Sequence, residues 1–194
     1  MDQSATGTTG STDALVLIDL QEDFLSAPGL AEQRAALVEG VRAWVDLARG
    51  AGAVVLDVRT VVPEDESTWA LNMRDDGQPV ALEGTPGVER VAELADVDAV
   101  VVTKRRDDAF LGTTLVDLLE EHGVEHVVLA GVSTQACVAM TAASAYAHDL
   151  RVRLAGGAVA SEDPQSHDAA LRWLDAEYRQ EVADPADGWP FPPS

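Results

Sequence analysis

Runs of consecutive apolar residues recur along this chain, at Ala14–Ile18, Ala53–Leu56, Ala99–Val102 and Val127–Ala130. Consecutive rather than alternating apolar positions mark strands covered on both faces, as in a parallel sheet. They predict strands at 14–19, 53–58, 99–103, 126–130 and 151–154, with a last edge strand within 178–183. Between the runs, apolar positions return at helical spacing. Leu37, Val41, Trp44, Val45 and Ala48 share one face of a helix expected over 31–49, ended by Gly50 and Gly52. Further helices are expected over 88–94, 113–122 (Leu115, Leu118 and Leu119 inward), 135–148, and 164–176 (Leu171 and Leu174 inward). The alternation of the two periods predicts an α/β fold: a doubly wound parallel sheet of five to six strands with helices on both faces, in three αβα layers.

One stretch breaks the alternation. Residues 60–87 are long and irregular and carry Trp69, Leu71 and Met73, which are costly to expose. A loop of this length reads as a lid or a subunit contact over the strand ends. The turn-rich end, 184–194, reads as a peripheral tail whose Trp189 and Phe191 anchor it on a neighbour. Residues 1–12 are polar and read as a flexible lead-in, with neither the basic patch nor the apolar core of a secretory signal. The domain proper is expected over 13–183.

Composition then removes whole classes of function. With 13 basic against 34 acidic residues the net charge is -21. A phosphate backbone or an anionic membrane would be repelled, so neither nucleic acid nor membrane is an expected partner. No apolar run reaches the roughly 18 residues of a membrane span. A single cysteine rules out an internal disulfide and fits a reducing, cytoplasmic setting. No G-x-G-x-x-G follows the first strand, which disfavours a dinucleotide oxidoreductase.

Candidate chemistry gathers at three strand ends, where sites form in an open parallel sheet. Asp19 closes the first run. Lys104, the only lysine beside twelve arginines, follows the third. Cys137 lies just past the fourth, near the start of a helix, where peptide dipoles favour a thiolate. Taken singly, each has a bland reading: Cys137 as a small buried apolar residue, Asp19 as a cap, Lys104 as a surface charge. A nucleophile, a proton acceptor and a cation at successive strand ends together make a site. Arg105 or Arg106 offers a grip on a substrate carboxylate.

Three segments carry a resemblance: Leu17-Ile-Asp-Leu-Gln-Glu-Asp-Phe24, Lys104-Arg-Arg-Asp-Asp-Ala-Phe110 with Gly112-Thr113, and Gly131-Val-Ser-Thr-Gln-Ala-Cys-Val138 with Thr141-Ala142. Over about residues 13–183 the chain resembles the isochorismatase-like cysteine hydrolase superfamily, with its nicotinamidases and N-carbamoylsarcosine amidases. The resemblance implies a triad of Cys137 as nucleophile, Asp19 as general base and Lys104 as charge partner. It also implies a cis peptide between Val132 and Ser133, with the Ser133 and Cys137 N–H groups forming an oxyanion hole. Phe24 and Phe110 match substrate-pocket positions; Trp69 and Gln21 join them as candidates from the loops. Hydrolysis of a small amide, carbamoyl or ureido C–N bond follows, in a homodimer or homotetramer.

Two departures qualify the match. Nicotinamidases carry an Asp-x-His metal motif after the second strand, where this chain reads Leu56-Asp-Val-Arg-Thr-Val-Val62. His122, His126, His148 and His167 are dispersed, each read as solvated, so no catalytic metal and no cofactor are expected. An Asp-Ala pair usual after strand five is replaced by Gly157-Ala158. The alternatives are an isochorismatase-type vinyl ether hydrolase and a non-catalytic binding module.

Overall fold

The computed structural model describes residues 12–192, so most of the expected polar lead-in, residues 1–11, lies outside the described residues. In chain order the main elements are β1 (Asp13–Ile18), α1 (Glu22–Leu25), α2 (Arg34–Ala51), β2 (Val54–Thr60), α3 (Leu71–Asp76) and β3 (Val100–Lys104). Then come α4 (Leu115–Glu121), β4 (His126–Val132), α5 (Ala139–Ala147), β5 (Arg151–Ala160), α6 (Pro164–Tyr178) and β6 (Val182–Ala183). The strands form one six-stranded sheet in the order β3-β2-β1-β4-β5-β6, and every pairing is parallel.

Side-chain alternation along β1 shows why the runs had to be continuous. Ala14, Val16 and Ile18 enter the core beneath α4, α5 and α6, while Leu15 and Leu17 enter the core beneath α2. The chain builds outward from β1 in one direction through β2 and β3, then crosses back to add β4, β5 and β6. That reversal opens a crevice at the carboxyl ends of β1 and β4.

Several elements differ from expectation, each for a local reason. β5 continues to Ala160 because Ala155, Gly156, Gly157 and Ala158 lie under α2; small residues conceal a strand whose apolar signal comes from packing. Gly157 and Ala158 therefore lie inside β5, and an added Cβ at Gly40 of α2 would stand 2.1 Å from the Gly157 carbonyl oxygen. Trp44, fully buried, donates its indole N–H to the Gly156 carbonyl at 3.0 Å. α2 runs through Gly50 and is capped by Gly52, left-handed at φ 71°. Residues 88–94 form no α-helix. Two short 3-10 turns, Pro86–Val88 and Ala92–Leu94, flank an extended Glu89 and an Arg90 bridged to Gln21. The edge strand is only two residues long because α6 extends to Tyr178.

The tail packs on its own chain. Trp189 donates to Asp13 Oδ2 at 2.7 Å and meets the edge of Trp44, and Phe191 stacks on His126 with centroids 4.5 Å apart. Among the described residues no helix is long and apolar enough to cross a membrane.

Candidate active site

β1 ends at Ile18, and the next residue, Asp19, turns at φ 53° and is fully buried. Its backbone N–H donates to Val58 of the neighbouring strand at 2.9 Å. Its Oδ1 accepts from the Thr60 backbone N–H at 3.0 Å and the Thr60 hydroxyl at 2.8 Å. Thr60 ends β2, so two adjacent strands hold one carboxylate.

Lys104 is the last residue of β3 and only 1% exposed. Its Nζ stands 2.8 Å from Asp19 Oδ2. The same nitrogen is 2.8 Å from Thr60 Oγ1, 3.0 Å from the Arg106 carbonyl and 3.3 Å from Cys137 Sγ. An ammonium has three protons to share among these four neighbours. Asp19 Oδ2 is paired in charge with Lys104 and has no other partner. One carboxylate oxygen is left with a lone pair for another proton.

Cys137 sits in a π-helical turn, Thr134–Val138, that joins β4 to α5. The preceding Val132–Ser133 peptide is cis. The turn is tied down on both sides. The Ser133 carbonyl accepts from Ala136 at 3.0 Å and Val138 at 3.3 Å, and the Ser133 hydroxyl donates to Glu162 at 3.1 Å. Thr134 Oγ1 meets His167 Nδ1 at 2.8 Å. β4 approaches β1 so closely that a Cβ at Gly131 would lie 1.9 Å from the Ile18 carbonyl oxygen. That glycine lets the Asp19 and Cys137 ends meet.

Burial pushes the Cys137 thiol well above its ordinary range; the Asp19 charge adds to this, and Lys104 only partly opposes it. The thiolate expected from a helix start is not the resting form. Desolvation outweighs the dipole, and the sulfur keeps its proton until a base takes it. Burial also disfavours the Lys104 ammonium, but Asp19 and Cys137 together hold its pKa raised. A charged lysine, a carboxylate with a free lone pair and a protonated thiol can together carry proton-coupled nucleophilic attack.

The strand ends thus bring together Asp19, Lys104, Cys137 and Ser133. The loop candidates fall differently. Gln21 is fully buried and spends its amide on backbone, donating to Thr60 and Val88 carbonyls and accepting from the Thr60 N–H. It fastens the 60–88 segment rather than facing a pocket. Trp69 is buried with its indole on the Pro63 carbonyl at 2.7 Å, whereas Leu71, on α3, is exposed. Phe110 is buried and stacks on His148, while Phe24 packs against the core beneath α2. Arg106 donates to the Thr68 and Arg105 carbonyls. With Arg105, Thr68, Thr103, Leu111 and Gly112 it lines a cleft of about 570 Å³ that does not include Cys137. His122 and His148 are exposed, and His126 and His167 are half-buried. His126 pairs with Asp13 at 2.9 Å, His148 covers Phe110, and only His122 is confined to a local contact with its own helix.

A sequence profile of the Isochorismatase domain matches residues 13–186. This chain is an isochorismatase-family hydrolase. It is 32% identical over 180 residues to a maleamate amidohydrolase of Pseudomonas putida, covering 87% of this chain and 82% of the relative. Its fold matches an isochorismatase family protein of Desulfovibrio vulgaris with a TM-score of 0.81 at 28% identity, covering 91% and 96% of the two chains. It also matches N-carbamoylsarcosine amidase of Thermoplasma acidophilum with a TM-score of 0.75 at 27% identity, covering 89% and 95%.

The family's metal-binding members raise the question of whether this hydrolase could hold one. In the Leu56–Val62 segment Asp57 is buried, and Arg59 at 2.6 Å and Arg90 at 3.4 Å neutralise it. An arginine pair in place of a histidine leaves no donor set there. No group of three His, Cys, Asp or Glu suited to a metal occurs among the described residues.

Sequence reasoning missed three residues of this hydrolase's site. Thr60 lies two residues past the strand end that the apolar run predicts. Glu162 follows the end of β5, six residues past the expected one. Asp107, inside the quoted Lys104–Phe110 segment, has its Oδ1 3.8 Å from Cys137 Sγ. Its position three residues past Lys104 was the available signal.

Proposed function

We propose that this isochorismatase-family hydrolase cleaves the C–N bond of a small amide, carbamoyl or ureido compound through a thioester on Cys137. The observation that carries this reading is Lys104 Nζ, 2.8 Å from Asp19 Oδ2 and 3.3 Å from Cys137 Sγ, with all three side chains buried. The names of the relatives, amidohydrolase and amidase, support the same bond type.

Asp19 Oδ2 takes the thiol proton as Sγ attacks the carbonyl carbon. Lys104 balances the charge on Asp19 and the sulfur while Thr60 fixes the other carboxylate oxygen. The Ser133 and Cys137 N–H groups receive the oxyanion. As the C–N bond breaks, Asp19 returns its proton to the leaving nitrogen. Asp19 then takes a proton from water, whose hydroxyl attacks the thioester, releasing the acid and restoring the thiol. Phe24, Trp69 and Phe110 serve as apolar walls or their support; Gln21 holds the loop.

The test is intact-mass spectrometry with ammonia assay over a panel of small amides, ureido acids and carbamoyl compounds. A covalent acyl adduct on Cys137 is expected, together with loss of about a thousandfold or more in turnover for Cys137→Ala. Wild-type-like turnover by that variant would overturn the nucleophile and turn attention to ether hydrolysis.

A further inference from the structure

We infer that Asp107 reads the charge of the substrate, so that the site accepts cationic or neutral N–H-bearing amides and turns away anionic ones. This rests on Cys137 as the reacting group. Along the loop after β3 the side chains alternate in purpose. Lys104 points inward to Cys137. Arg105 and Arg106 line the separate outer cleft, Arg106 gripping the Thr68 carbonyl. No hydrogen bond or ion pair within 4 Å engages the Arg105 guanidinium among the described residues. Asp107 then turns back, its carboxylate 3.8 Å from Sγ. The arginines expected to hold a substrate carboxylate thus face elsewhere, and an acid stands where they were sought.

Of the charged groups at the sulfur, Asp19 and Lys104 are buried and mutually engaged, and Asp107 alone is exposed. On the far flank Glu162 takes the Ser133 hydroxyl. An acyl group on Sγ is therefore bordered by the exposed Asp107 carboxylate, with Glu162 beyond Ser133. Lys104, the cation in contact with the sulfur, is engaged by Asp19, Thr60, the Arg106 carbonyl and Cys137. An N–H or ammonium one or two carbons beyond the reacting carbonyl can reach Asp107; a carboxylate there meets a like charge.

Asp107 does not hold the loop by its side chain. Thr141 Oγ1 meets the Asp107 carbonyl at 3.5 Å and accepts from the Ala109 N–H at 3.1 Å. Asp108 accepts from the Phe110 N–H at 2.8 Å and from the Ser144 hydroxyl at 3.0 Å. Replacing the Asp107 carboxylate changes the charge and keeps the frame.

Because Cys137 is the only cysteine, thiol modification reports the field at this sulfur without any substrate. The full chain is treated with a cationic trimethylammonioethyl and an anionic sulfonatoethyl methanethiosulfonate, each rate normalised to free cysteine. The cationic reagent is expected to win by tenfold or more. Asp107→Asn should cut that ratio at least fivefold, separating the local charge from the background of -21, and Arg105→Gln should leave it within twofold. Asp107→Ser serves if the Asn variant does not fold. The same order is expected in kcat/KM for 3-aminopropanamide over succinamate, reversed or flattened by Asp107→Asn. A normalised preference for the anionic reagent, or a ratio unmoved by the Asp107 variants, would overturn the inference. Failure of the amidase reading shows instead as absence of the acyl adduct, with the labelling ratios intact.

Discussion

Asp19, Lys104 and Cys137 illustrate how a site is set by the number of protons available. Lys104 has three donors for four neighbours, and Asp19 Oδ2, with Lys104 as its one partner, keeps a lone pair for another proton. The buried thiol sits high because desolvation and the Asp19 charge both disfavour its anion. Asp19→Asn removes one of those causes. The midpoint of Cys137 alkylation by iodoacetamide should therefore move down in pH, while turnover falls by about 10²–10⁴ with the base gone. An upward or absent shift in the alkylation profile would show that Asp19 does not bear on the sulfur. All three residues were legible in sequence, since each is chemically singular at the end of an apolar run. Thr60 was not, because a threonine at a strand end carries no sign of which oxygen it will bind.

At the scale of elements, strand ends place the site and glycines set how closely the layers approach. α2 lies against β5 through Gly40, with no room for a methyl group beside the Gly157 carbonyl, whereas an added Cβ at Gly50 meets nothing within 4 Å. Both are helical glycines, so helix propensity alone favours alanine at each by about 1 kcal/mol. Gly50→Ala should stabilise by about 0.5–1 kcal/mol. Gly40→Ala should destabilise by about 1–3 kcal/mol, because backbone must move to admit the methyl. Urea unfolding of the two variants separates these signs. The same packing explains the misread length of β5. Alanine and glycine carry little strand signal, and their burial is decided by α2, which is distant in sequence.

The whole molecule carries a net charge of -21, which opposes association at low ionic strength. Of the apolar groups that suggest a subunit contact, Trp69 and Phe191 are buried by their own chain and Trp189 and Met73 partly so, whereas Leu71 stays exposed. The remaining exposed apolar groups include Met140 and Tyr146 on α5 and Trp173 on α6. Met140 and Trp173 border a hollow lined by Gln135, Ala139, Ala143 and Ala170 and free of charged residues. A homodimer is proposed through this face. Light scattering should show a mass above 20.5 kDa that grows with added salt, and Trp173→Asp should weaken it. A monomer at every salt concentration would refute it.

By itself the sequence determined the sheet, the order of layers and the three reactive strand ends, because continuous apolar runs, helical periodicity and singular residues are local properties. Only the tertiary structure decided how those ends meet. It set the free lone pair on Asp19, the protonated state of Cys137, the outward course of Arg105 and Arg106 and the inward turn of Asp107. Each of these depends on burial and on partners brought from separate strands, which no local pattern records.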